Sequence, residues 1–126
     1  MKKKILIVDD TIPYLESLTR VLSDNYTVET ASNLDEALSK ATNEIELFLI
    51  DICLDPEKPG IDKSGIEILR WVKTNLPDKP VIMMSAYRDF DAAVEAVNLG
   101  AEKFLKKPIN INELNELIRG LLESDR

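Results

Sequence analysis

Four apolar runs in this chain each stop at a polar residue suited to phosphate or metal chemistry, and that repetition leaves few folds open. Ile5-Leu6-Ile7-Val8 runs into Asp9-Asp10, and Leu47-Phe48-Leu49-Ile50 into Asp51. Val81-Ile82-Met83-Met84 runs into Ser85, and Phe104-Leu105 leads to Lys106-Lys107-Pro108. Short runs without alternation read as strands covered on both faces, as in a parallel sheet. Parallel strands end along one edge, and open α/β sheets bind ligands there. Three carboxylates, a hydroxyl and a lysine are therefore expected in one crevice.

Helical patterns alternate with these runs from end to end, which is the signature of βαβ units. Strands are predicted at Ile5–Val8, Thr27–Thr30, Leu47–Ile50, Val81–Met84 and Lys103–Leu105. The second is the more polar and suits a sheet edge. Between them Ile12, Leu15, Leu18 and Leu22 trace one face of a first helix, and Leu34, Ala37, Leu38 and Ala41 one face of a second. Ser64 with Glu67 reads as a capping box opening a third helix, whose buried face is expected at Ile66, Leu69, Val72 and Leu76. Phe90, Ala93, Val94 and Val97 mark a fourth helix that Gly100 is placed to stop. Asn110 with Glu113 starts a fifth, carried by Leu114, Leu117, Ile118 and Leu121. Trp71 falls on the flank of the third helix and receives no function. With no linker, repeat or low-complexity tract, residues 1–126 are expected to form one (βα)5 domain of the α/β doubly wound class, without an output domain.

Composition narrows the function. A net charge of −7 and a pI near 4.6 disfavour a broad nucleic-acid surface. The basic start Met1-Lys2-Lys3-Lys4 precedes only four apolar residues, too few for a signal peptide, and no segment approaches a membrane span. Cys53 is the one cysteine, so no disulfide framework exists and a cytoplasmic location is expected. Histidine is absent. That excludes a Ser-His triad, a histidine-ligated metal and a phosphohistidine of the chain's own.

Each strand-end residue has a chemical reading and a plain one. Asp9 and Asp10 are adjacent carboxylates whose repulsion a cation offsets, and oxygen ligands of this kind suit Mg²⁺. The plain reading is a solvated acidic turn that caps a helix. Asp51 ends the most apolar strand, where a carboxylate can ligate a metal or attack a phosphoryl group. Ser85 and Lys107, taken singly, are ordinary loop residues. Their coincidence at four strand ends supplies what phosphoryl transfer needs: metal ligands, nucleophile, hydrogen-bond donor and counter-charge.

At this point the chain resembles the receiver domain of two-component response regulators, over essentially its whole length. The likeness is carried by Ile7-Val8-Asp9-Asp10, Leu49-Ile50-Asp51, Met84-Ser85-Ala86, Gly100-Ala101 and Phe104-Leu105-Lys106-Lys107-Pro108. The resemblance implies a five-stranded sheet of order 2-1-3-4-5 with Asp51 as phosphoacceptor. It implies Mg²⁺ (or Mn²⁺) held by Asp10, by Asp9 through water, by Asp51 and by the backbone carbonyl of Cys53. Ser85 falls on the Ser/Thr switch position. Lys107 falls on the lysine that pairs with a phosphoryl oxygen, before a cis bond to Pro108. Lys106 competes for that role, and strand alternation puts the two lysines on opposite faces. Phe104 falls on the switch aromatic, which fills the space left as Ser85 moves, and so repacks the fourth helix, fifth strand and fifth helix.

The chain departs from the family after Asp51. The usual pattern is D-x-x-x-P-G-x-D-G. Here Pro59-Gly60-Ile61-Asp62 matches its centre, while Asp55 to Lys58 and then Lys63-Ser64 read as insertions, so the loop Leu54–Gly65 is extended. Cys53 and Tyr87 stand two residues beyond Asp51 and Ser85, flanking the water that attacks the acyl phosphate. Neither offers an amide or carboxylate to position it, so slow self-dephosphorylation is expected. A buried, small apolar Cys53 is the rival reading.

The leading function is a phosphoacceptor that takes a phosphoryl group from a sensor histidine kinase or a histidine phosphotransfer protein, catalysing only its own phosphorylation and dephosphorylation rather than acting as an ordinary enzyme. A second copy meeting through the fourth and fifth helices is a possible further partner. A degenerate receiver that works unphosphorylated is the alternative, and Asp51→Asn separates the two. A haloacid dehalogenase-type phosphatase is disfavoured because Asp9-Asp10-Thr11 lacks the spacing of D-x-D-x-T and the chain is short for a cap. A flavodoxin-like FMN binder is disfavoured because Asp9-Asp10-Thr11-Ile12-Pro13 repels phosphate where a Ser/Thr/Gly cradle is needed.

Overall fold

The computed structural model describes residues 2–55, 57–58, 61–86 and 90–123. Five strands alternate with five helices: β1 (Lys4–Val8), α1 (Ile12–Leu22), β2 (Thr27–Ala31), α2 (Leu34–Lys40), β3 (Ile45–Asp51), α3 (Ser64–Asn75), β4 (Val81–Ser85), α4 (Phe90–Asn98), β5 (Lys103–Lys106) and α5 (Ile111–Glu123). All strand pairs are parallel, in the order β2-β1-β3-β4-β5. The polar β2 is an edge strand, as its composition indicates.

Strand alternation divides the core into two layers. Leu6, Val8, Phe48, Ile50, Val81 and Met83 pack with α2, α3 and α4. Ile5, Ile7, Leu47, Leu49, Ile82, Met84 and Leu105 pack with α1 and α5. β1, β3 and β4 are thus buried on both faces, which is why their sequences do not alternate. Register then aligns their ends: Val8 lies beside Ile50, Asp51 beside Met84, and Ser85 beside Lys106. Asp51 and Ser85 are the last residues of their strands, and Asp9 and Lys107 each follow one directly.

Local signals set most helix ends. Asn33 caps α2 by accepting the Glu36 N–H at 2.8 Å, and Asn110 caps α5 by accepting the Glu113 N–H at 2.9 Å. Gly100 adopts φ 104° beyond α4. Its N–H donates to Val97 and that of Ala101 to Ala96, the two bonds of a Schellman ending that only glycine enters without strain.

Three helix expectations need correction. Ser64 is the first residue of α3 rather than its cap, and its hydroxyl donates to the Asp62 carboxylate. Asp62 Oδ2 accepts the backbone N–H of Ser64 at 3.2 Å and of Leu54 at 2.9 Å, so the capping acceptor lies two residues earlier. In α4 the buried residues are Ala92 and Ala96, while Phe90, Val94 and Val97 are exposed. Small side chains let α4 lie close to the sheet, and the bulky apolar stripe is turned outward. Ile12 is likewise 51% exposed, whereas Leu15, Leu18 and Leu22 are buried.

Candidate functional site

Asp9 is fully buried, and its carboxylate takes the Thr11 N–H at 2.8 Å on Oδ1 and the Lys107 ammonium on Oδ2. Lys107 Nζ also donates to Asp51 Oδ2 at 3.0 Å. Asp51 is 5% exposed, and its Oδ1 accepts the Cys53 N–H at 3.4 Å. Ligand oxygens of Asp9, Asp10 and Asp51 all lie within 4.8 Å of one another. Ser85 is buried, and its backbone carbonyl accepts the Lys107 N–H at 2.9 Å, tying the end of β5 to that of β4. Lys106 is exposed, whereas Lys107 turns inward to the carboxylates. The Lys107–Pro108 bond is cis.

Burial dominates the electrostatics. It pushes Asp51 up to about 6, with the Asp9 charge adding to the rise and Lys107 opposing it. Asp10 is raised as well, by burial and then by Asp9. Burial works to lower the Lys107 ammonium, but hydrogen bonding and charge from Asp9 and Asp51 outweigh it and hold its pKa above the ordinary lysine value. A single ammonium shared by two carboxylates cannot fully neutralise both. Oxygen donors at this spacing, with negative charge in excess, fit a hard divalent cation such as Mg²⁺.

The Asp51 shift carries a pH prediction for the metal-free protein. A folded pKa of about 6 against an ordinary 3.8 means that between these values the native state holds a proton the unfolded chain has lost. The contribution is full below pH ~4 and lost as pH rises through ~6, bounded at about 3 kcal/mol by the size of the shift. In EDTA, the stability of wild type relative to Asp51→Asn should therefore fall from pH 4 to pH 7 in denaturant titrations. Parallel profiles would contradict it.

Of the remaining predicted residues, Phe104 and Cys53 are described. Phe104 is half-buried against the α2/α3/α4 side of the core. Cys53 is buried, and its thiol lies 3.4 Å from the carbonyl oxygens of Asp55 and Lys58, to which it donates weak hydrogen bonds. Tyr87, and Pro59-Gly60 of the loop motif, lie outside the described residues. Sequence reasoning missed two residues. Gly65 donates its N–H to Ile52 at 2.8 Å, and a Cβ there would lie 2.0 Å from the Asp51 carbonyl oxygen. Tyr14 places its ring 4.6 Å from Lys107 Nζ. Gly65 had a signal, as the final glycine of the family loop; Tyr14, inside α1, had none.

The profile of the response regulator receiver domain matches residues 5–119. The chain belongs to that family. The transcriptional regulatory protein ZraR of Klebsiella oxytoca is 38% identical over 112 residues, covering 87% of this chain and 24% of ZraR. The nitrogen assimilation regulatory protein NtrX of Azorhizobium caulinodans is 34% identical over 128 residues, covering 100% of this chain and 27% of NtrX. This receiver thus spans about a quarter of the length of these relatives. A crystal structure of a CheY-like receiver domain protein from Methanospirillum hungatei matches with a TM-score of 0.87 at 34% identity, covering 98% of this chain and 96% of that one. The BeF3-activated receiver domain of DrrB matches at 0.84 and 25% identity, covering 98% and 99%. The fold and strand order expected from the sequence are those found. No described helix is long and apolar enough to cross a membrane.

Proposed function

We propose that this receiver takes a phosphoryl group onto Asp51 and converts it into a change of surface. The observation that carries the reading is the meeting of Asp9, Asp10, Asp51, Ser85 and Lys107 at one sheet edge, with Lys107 bonded to both buried carboxylates. An Asp51 Oδ forms a bond to phosphorus while the P–N bond of a phosphohistidine donor breaks, its electron pair returning to the imidazole. Asp9, Asp10, Asp51 and the Cys53 carbonyl would hold Mg²⁺ (or Mn²⁺), which when bound neutralises phosphoryl charge. Lys107 pairs with one phosphoryl oxygen and the Ser85 hydroxyl donates to another.

Ser85 then draws toward the phosphoryl group, Phe104 turns into the space it leaves, and the surface of α4, β5 and α5 repacks. The exposed Phe90, Val94 and Val97 make that surface suited to a second copy of the chain. The donor is a sensor histidine kinase or phosphotransfer protein in the cytoplasm. The domain catalyses only its own phosphorylation and dephosphorylation, and neither nucleic acid nor membrane is its ligand.

Beryllium fluoride, a stable mimic of the phosphoryl group, tests the switch. With Mg²⁺ it should shift the amide resonances of Ser85, Phe104, α4 and α5 in wild type and not in Asp51→Asn. Shifts confined to the strand ends would contradict a switch. Self-dephosphorylation should be slow, because Cys53 provides no polar handle for the attacking water. Cys53→Asn should accelerate the loss of phosphate, read by mass after donor removal; an unchanged or slower loss would contradict this.

A further inference from the structure

Among the described residues the Lys107 ammonium bonds the carboxylates of Asp9 and Asp51 and also meets an aromatic ring. That ring belongs to Tyr14, and its centroid lies 4.6 Å from Nζ, well within the range at which a cation is attracted to an aromatic face. Tyr14 sits on the first turn of α1, four residues beyond Asp10, and its side chain packs against the α1/α5 side of the core. The hydroxyl is buried and makes no hydrogen bond among the described residues. Among the described residues the polar end of Tyr14 thus contributes no hydrogen bond to the site, while its ring face meets the Lys107 cation of the carboxylate cluster.

We infer that Tyr14 is a positioning residue for phosphoryl transfer, its ring face guiding the Lys107 ammonium from Asp9 to the phosphoryl oxygen on Asp51. This rests on the proposed role of Asp51. In the resting site Lys107 is drawn to two carboxylates at once, Asp9 and Asp51. Addition of a phosphoryl group places new negative charge beyond Asp51, and Nζ has to swing toward it without being released to solvent. An aromatic face suits that swing: its attraction varies gently with lateral position, whereas a hydrogen-bond acceptor would fix Nζ at one point. Tyr14 acts through Lys107 and makes no contact of its own with the reacting atoms.

The test uses the whole chain, acetyl phosphate and saturating Mg²⁺, with adduct formation followed by intact mass. Tyr14→Leu should slow the initial rate about fivefold, equivalent to ~1 kcal/mol at 1.36 kcal/mol per tenfold, and Tyr14→Phe should regain most of it. In a Lys107→Ala background the same Tyr14→Leu change should alter the rate less than twofold. Equal losses in both backgrounds would overturn the inference, as would no loss in either. An independent readout comes from the unmodified protein, where the Lys107 ε-methylene protons should be shifted upfield by the ring in NMR spectra. That shift should vanish in Tyr14→Leu, and its absence from wild type would overturn the inference whatever the variants do. If wild type gains no phosphate, the proposed role of Asp51 fails, and the ring-current shift alone still decides the Tyr14–Lys107 contact.

Discussion

Alanine at position 65 is expected to destabilise the protein by about 3–5 kcal/mol, at the upper end of single substitutions. The added Cβ would lie 2.0 Å from the Asp51 carbonyl oxygen and 2.7 Å from the Ile52 Cα, both backbone atoms that cannot rotate away. Relief requires α3 to back off from the end of β3. That would also break the Gly65 N–H bond to Ile52, which anchors the segment following Asp51. Thermal melting should show the midpoint falling by roughly 10–20 °C for a domain of this size. A fall of only a degree or two would mean that the helix can shift at no cost, contrary to the tight seam described.

Removing the Lys107 ammonium should have the second large effect, and one that metal reverses. Asp9 is fully buried and Asp51 nearly so, and among the described residues Lys107 alone donates an ammonium hydrogen bond to either. Lys107→Ala leaves two buried carboxylates facing each other, and breaking such an arrangement costs about 3–5 kcal/mol. Without Lys107 the opposition to the raised Asp51 pKa is gone, so proton uptake by Asp51 limits the loss as pH falls and the cost should grow as pH rises. Millimolar Mg²⁺ should restore more stability to the variant than it adds to wild type, because no ammonium then competes for the carboxylates. Denaturant unfolding at pH 7 with and without Mg²⁺ reads both effects. A variant as stable as wild type in EDTA would show that the ion pair contributes nothing.

Much of this architecture was legible because β1, β3 and β4 are buried on both faces, which forces continuous apolar runs with sharp polar ends. The same constraint exposed most of the site, since Asp9, Asp51 and Ser85 are the first polar residues past those runs, whereas Lys107 stands behind Lys106 after the shorter β5. Where local pattern and packing diverged, the sequence misled. Ser64 and Glu67 carry capping-box spacing, but Asp62, outside the helix, takes the Ser64 N–H that the Glu67 side chain would have accepted. The large apolar residues of α4 suggest its buried face, yet a helix that lies close to the sheet needs alanine there, and Ala92 and Ala96 are less conspicuous. Tyr14 was invisible for a different reason: its partner is 93 positions away, and only the folded sheet brings α1 under the end of β5.

The measurement that tests the central claim most directly is incubation of the chain with acetyl phosphate and Mg²⁺, beside Asp51→Asn, followed by intact-mass analysis. The account predicts a single phosphate adduct in wild type that disappears with EDTA and is missing from the variant. No adduct in either protein, or the same adduct in both, would contradict it. The first of these outcomes would make this receiver an unphosphorylated interaction module.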